Sequence, residues 1–314
     1  MFFMQLLASL FCLIALSLAQ EPAQEPETTT FKSGVTQVRL DLLASNNQGF
    51  IKTLKQEDLI IEDNGQPVTI NYISRDKEPL CLLLLLDVSG SMRNSLSQIG
   101  RRARSLLAEL RPGDKVGVMI FSKESDYLMP FTSNMDRAAN AIDQALRPGL
   151  LPSGTSINAG LVDAAQAFIQ DPKLTGHRTI FILTDNNSLN YRVPDSTVLR
   201  QVFAADAVLN AIVTKNAEPP KPVKNPEQRN PDFSWADVFK LSAETGGEVL
   251  RTDRADDAFA KLLANLRERY LITYNAPAST PNQFRTIRVT LSKEAQKKYG
   301  KAIIRARAGY YTGS

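Results

Sequence analysis

From Cys81 to Leu86 the chain runs through six apolar residues and then stops at Asp87-Val88-Ser89-Gly90-Ser91. Apolar side chains at every position, rather than at alternate ones, predict a strand covered on both faces, as in the middle of a parallel sheet. Open α/β sheets bind ligands outside the carboxyl ends of their strands, and Asp87 falls at such an end. The turn that follows brings the carboxylate of Asp87 and the hydroxyls of Ser89 and Ser91 toward one point. These are hard oxygen donors, the kind that suits Mg²⁺, Ca²⁺ or Mn²⁺.

The surrounding sequence supplies the alternation that such a sheet needs. Leu96, Ile99, Ala103, Leu106, Leu107 and Leu110 keep helical spacing, and Arg111-Pro112-Gly113-Asp114 stops that helix before an apolar strand at 116–121. Met135, Ala138, Ala139, Ile142 and Leu146 make a second helical stripe, and Ile157, Leu161, Ala164, Ala165 and Phe168 a third. Strands at 179–184, 207–213 and 248–250, with helices at 198–203, 235–244 and 255–269, complete a doubly wound, mostly parallel, Rossmann-like α/β order. Residues 215–232 interrupt it with prolines and are read as an exposed loop.

Strand patterns also flank this region. Val38, Leu40 and Leu42 alternate with polar residues, and Asp63-Asn64-Gly65 between two apolar stretches predicts a hairpin. Strands near 271–274, 287–291 and 302–306 repeat the pattern at the other end. Neither set alone buries enough to stand by itself, so both are expected to join in one accessory β-sandwich. The expected organisation is an N-terminal β unit at 33–78, the α/β domain at 79–270 and a C-terminal β unit at 271–314.

The first 19 residues are almost wholly apolar and end in Ser17-Leu18-Ala19, which reads as a secretory signal peptide. An uncleaved membrane anchor is the alternative for that segment. Residues 20–32, rich in Pro, Glu and Thr, read as a disordered tether. Cleavage after Ala19 leaves Cys81 as the single cysteine of an exported, secreted or periplasmic chain, and a buried strand predicts it to be a small hydrophobe and not a reactive thiol. With 37 basic against 33 acidic residues, and no aromatic run among the basic ones, the charge pattern does not predict a nucleic-acid partner.

Asp87-Val-Ser89-Gly-Ser91 is the D-x-S-x-S element of the von Willebrand factor A family, and the chain resembles that family at further points. Thr155, after Ser153-Gly154, is similar to the threonine that the family draws from a second loop. Asp185, at the end of the apolar stretch Thr179-Ile-Phe-Ile-Leu-Thr184, is similar to its closing aspartate. Two departures stand out: Asn186 follows Asp185 where the family usually has glycine, and Ser153 replaces one of two glycines before the threonine. Asn tolerates a left-handed backbone better than most residues. The hairpin near Glu62-Asp-Asn-Gly65, Arg111-Pro-Gly-Asp114, Thr245-Gly-Gly247 and Arg305-Ala-Arg-Ala-Gly309-Tyr-Tyr311 are similar to the exported von Willebrand A-related proteins of acidobacteria.

The resemblance implies a metal-ion-dependent adhesion site built by Asp87, Ser89, Ser91, Thr155 and Asp185 and holding Mg²⁺, with Ca²⁺ or Mn²⁺ as alternatives. It further implies a protein partner whose Asp or Glu carboxylate completes the metal's coordination, in adhesion or assembly. A scaffold whose metal only stabilises the loops is the alternative. A metal-dependent hydrolase is the rival class. It finds little support, because Ser89 stands where a haloacid-dehalogenase phosphatase needs a second carboxylate and Asp87 where a serine hydrolase needs glycine. His177, the single histidine, is expected in a surface turn.

Overall fold

The computed structural model describes residues 36–75, 78–191, 193–221 and 233–313. The expected signal peptide and tether, and residues 222–232 of the proline-rich interruption, lie outside them. The described residues make one compact unit.

The chain opens with β1 (Gln37–Asn46) and the short β2 (Gly49–Phe50), then β3 (Leu59–Asp63) and β4 (Gln66–Val68). The β3–β4 hairpin closes through Asn64 at φ 50° and Gly65 at φ 75°, the left-handed pair that a two-residue hairpin turn requires. Sequence pattern predicts one strand from Val68 to Tyr72; the structure breaks it. Pro67 has no amide hydrogen to offer a further strand, β4 stays a short edge, and β5 (Ile70–Arg75) joins a different sheet.

The α/β part follows with β6 (Leu80–Asp87), α1 (Arg93–Leu107), β7 (Lys115–Phe121), β8 (Ser125–Thr132), α2 (Met135–Ala145), α3 (Ile157–Ile169), β9 (His177–Thr184) and β10 (Leu189–Tyr191). It continues with α4 (Asp195–Ala204), β11 (Ala207–Val213), β12 (Phe233–Trp235), α5 (Val238–Glu244), β13 (Val249–Arg251) and α6 (Ala255–Leu266). The main sheet has the order β13-β11-β9-β6-β7-β8, parallel except for β8 at one edge. Along β6, Leu80, Leu82, Leu84 and Leu86 join a core with the apolar stripes of α1, α2 and α6, while Cys81, Leu83 and Leu85 join another with those of α3, α4 and α5. Two filled faces account for the uninterrupted apolar run. Burial also pushes the Cys81 thiol up to about 11, so it is an inert core residue as expected.

The helix expected at 235–244 begins only at Val238. Asp237 caps it by accepting from the Lys240 amide at 3.0 Å, and Trp235 instead ends β12, which pairs with β10. Helix α6 stops at Leu266, before the expected Arg269. That arginine is fully buried and donates to the carbonyls of Asp41 (3.1 Å) and Gly246 (2.7 Å).

The chain then returns through β14 (Tyr270–Asn275), β15 (Phe284–Leu291), α7 (Lys293–Tyr299), β16 (Ile303–Arg305) and β17 (Gly309–Tyr311). β14 and β16 pair with β1, while β15 pairs with β3 and β17. The two sheets, β16-β1-β14-β5 and β17-β15-β3-β4, enclose a third core that includes Leu40, Leu42, Ile61, Ile272 and Ile287. N- and C-terminal strands thus build one sandwich. His177 is not in a surface turn. It opens β9, is almost fully buried, and its Nδ1 bonds the Asp41 carboxylate of β1. Burial opposes the charge on Asp41, but His177, Arg269 and Arg39 outweigh it and hold the carboxyl below its ordinary range.

Candidate metal centre

β6 and β9 are parallel neighbours, so Asp87 and Asp185 leave the sheet at the same edge. Asp87 is completely buried. Its Oδ1 accepts from the Ser89 amide at 3.0 Å and its Oδ2 from the Thr184 hydroxyl at 2.8 Å. Burial pushes its carboxyl up to about 6; the hydrogen bonds from Ser89 and Thr184 pull it back, and the nearby charge of Asp185 adds to the rise. A buried carboxylate held this way is short of positive charge.

Ser89 and Ser91 follow on a tight turn. Their Oγ atoms are 3.2 Å apart. Two neighbouring ligands of an octahedral Mg²⁺, each at about 2.1 Å, stand about 3.0 Å apart, so this spacing suits adjacent positions on one cation. Each hydroxyl also keeps lone pairs for it.

Asp185 lies just beyond β9, its Oδ1 accepting from the Asn187 amide at 2.9 Å. Asn186 has φ 59°, the left-handed conformation for which glycine is usual and Asn adequate. Its side chain does what glycine cannot: Oδ1 accepts from the Val238 amide at 3.1 Å and Nδ2 donates to the Glu218 carbonyl at 3.0 Å. The departure from the family pattern therefore anchors the Asp185 loop.

Thr155 stands in the loop before α3, partly exposed. Its carbonyl accepts from the Ser188 hydroxyl at 2.7 Å, and the next amide, Ser156, donates to the Ser122 carbonyl at 2.7 Å. These bonds tie its loop to the segments that follow β9 and β7. Gly154 precedes it at φ 128°, with Lys123 only 3.2 Å from where a Cβ would be. Thus glycine is required at 154, and serine is accommodated at 153.

Among the described residues no three His, Cys, Asp or Glu side chains come together as a metal cluster. The candidate set consists instead of two carboxylates and three hydroxyls, which fits a hard cation better than zinc's usual nitrogen and sulfur ligands. Thr184, Ser122 and Ser188 support the set without having been singled out in the sequence. The one signal for Thr184 is a hydroxyl closing an otherwise apolar strand; Ser122 and Ser188 carry none.

Residues 82–187, which include β6, β9 and this edge of the sheet, match the family model of the von Willebrand factor type A domain. No curated protein sequence matches the chain. Among solved structures it is similar to an aerotolerance-related membrane protein from Bacteroides fragilis NCTC 9343, with 20% identity and TM-score 0.46 over 60% of this chain and 99% of that one. It is also similar to a von Willebrand factor type A protein from Catenulispora acidiphila, with 11% identity and TM-score 0.44 over 90% and 75% of the two chains. Proximal thread matrix protein 1 from the mussel byssus, solved with a zinc-occupied MIDAS motif, gives 14% identity and TM-score 0.47 over 66% and 50%.

Proposed function

We propose that the chain is an exported, non-catalytic binding protein that holds a divalent cation, Mg²⁺ foremost, through Asp87, Ser89, Ser91, Thr155 and Asp185. A protein partner's Asp or Glu carboxylate completes the coordination. The observation that carries this reading is the buried Asp87, raised toward protonation by burial, beside two hydroxyls at a spacing suited to one cation. The bound cation supplies the positive charge that these oxygens lack and an outward position for the partner's carboxylate. The protein's own residues orient the donors: the Ser89 amide and Thr184 hold Asp87, and Asn186 anchors Asp185.

The histidine that a hydrolase would use as base is at the wrong end. His177 starts β9 and Asp185 follows its last residue, which separates them by about 25 Å of extended chain.

The test is the thermal midpoint of the wild type and Asp87→Ala, with chelator and with millimolar Mg²⁺, Ca²⁺ or Mn²⁺. Metal at about a hundred times its dissociation constant adds about 2.7 kcal/mol to the wild type and nothing to Asp87→Ala. A metal effect that survives in Asp87→Ala overturns the assignment of the site.

Export rests on residues 1–19. No helix among the described residues is long and apolar enough to cross a membrane. N-terminal sequencing of the protein recovered outside the cytoplasm should begin at Gln20; a chain still beginning at Met1 would mark the apolar segment as an anchor.

A further inference from the structure

Beside Asp185 opens a cavity of about 340 Å³, lined among others by Asn187, Asn216, Glu218, Pro220 and Trp235. Trp235 is the single tryptophan of the chain and is 54% exposed. A large aromatic surface left to solvent is unusual enough to need a reason.

Both walls of the cavity are fixed. Trp235 is held in register with Leu189 across the β10–β12 ribbon, and the next amide, Ala236, donates to the Ser188 carbonyl at 2.9 Å. On the other wall, the Glu218 carbonyl accepts from Asn186. Among the described residues no ring or cation stacks on Trp235. Nor does any basic group there pair with the Glu218 carboxylate.

These two groups, unpaired among the described residues, ask for the same chemistry. An indole face is the strongest aromatic acceptor of a cation, and a free carboxylate adds a charge partner in the same space. A second anion would meet both Glu218 and Asp185. A planar guanidinium stacks on an aromatic ring and hydrogen-bonds a carboxylate in one pose. We propose that this cavity receives a cationic side chain of a protein partner, stacked on Trp235 and paired with Glu218. The cavity's chemistry does not depend on the metal. Where both sites act on one partner, that partner presents an acidic and a basic side chain close together.

Because Trp235 is the sole tryptophan, its fluorescence reports on the cavity directly. The full-length mature protein, in chelator, is titrated with N-acetylarginine amide and, separately, with the neutral N-acetylglutamine amide. The arginine probe should give a saturable change that the neutral probe does not. In Glu218→Gln, an exposed substitution, its apparent affinity should fall by roughly fivefold. The response should persist in Asp87→Ala, so failure of the metal assignment leaves this result standing. An equal response to the neutral probe, or full affinity in Glu218→Gln, overturns the proposal.

Discussion

Asp63→Ala should unfold the protein at a markedly lower temperature, with a loss of about 3–5 kcal/mol, although residue 63 is far in sequence from every candidate metal ligand. Asp63 is fully buried at the end of β3. Its Oδ1 accepts from Arg285 Nε at 2.5 Å, and its Oδ2 from the hydroxyls of Tyr274 (2.9 Å) and Tyr310 (2.8 Å). Tyr274 belongs to β14 in one sheet of the sandwich, whereas Arg285 and Tyr310 belong to β15 and β17 in the other. One carboxylate therefore joins both layers. Burial, and then the neighbouring Asp63, raises the Tyr310 phenol to about 12 and raises that of Tyr274 as well, so both remain hydrogen-bond donors at any ordinary pH. Removing the acceptor leaves a buried guanidinium uncompensated and two hydroxyls without their partner, the costly half of breaking a buried pair. For a unit of this size the loss corresponds to a fall in midpoint of at least about 5 °C. Adding Arg285→Met to Asp63→Ala should restore part of it, because the unpaired charge goes. A loss below about 1 kcal/mol, or no recovery in the double variant, would show that water reaches Arg285 and that the network is not what joins the sheets.

How legible such features are depends on whether they leave a period in the sequence. β6 was readable because it is filled on both faces, and the helical stripes because each buries one face. The Asn64-Gly65 turn was readable because its backbone conformation selects those residues. β8 leaves no comparable trace: it is an edge strand, none of its residues is fully buried, and Pro130 interrupts it. Trp235 looks like the start of an apolar helix until the Asp237 cap is seen. Pairings between distant segments are silent in sequence, which is why His177, placed in a surface turn by its neighbours, is instead buried against Asp41. The site divides in the same way. Asp87, Ser89 and Ser91 are local to one turn, and Thr155 and Asp185 are identified by resemblance. The grip of Thr184 on Asp87 and of Asn186 on Val238 and Glu218 exists only once the strands are laid side by side.

In chelator at pH 7.5, Asp87→Asn should be more stable than the wild type, and metal should close most of that gap. The sign follows from the direction of the shift. Asp87 titrates near 6 in the folded chain, against 3.8 as its ordinary value, so the folded state holds the proton more tightly than the unfolded chain does. Stability is therefore lost as pH rises from about 4 to about 6, by about 1.4 kcal/mol per unit and about 3 kcal/mol in all, and the deficit is complete above pH 6. Asn at this position carries no charge and escapes the deficit, while its amide oxygen can still accept from the Ser89 amide. The advantage of Asp87→Asn should accordingly shrink as pH falls through 6 and vanish below about 4. A bound dication offsets most of this deficit, since it compensates the charge that burial penalises and requires Asp87 deprotonated. Metal stabilisation of the wild type should then weaken by up to about tenfold in affinity for each pH unit below 6, and Asp87→Asn should gain little from metal at any pH. Melting curves of both proteins across pH 4–8, with and without Mg²⁺, decide the matter. A wild type that is the more stable of the two in chelator at pH 7.5, or a difference between them that does not change with pH, would mean that Asp87 is comfortable as an anion without a cation, and the electrostatic case for a metal at this edge of the sheet would fail.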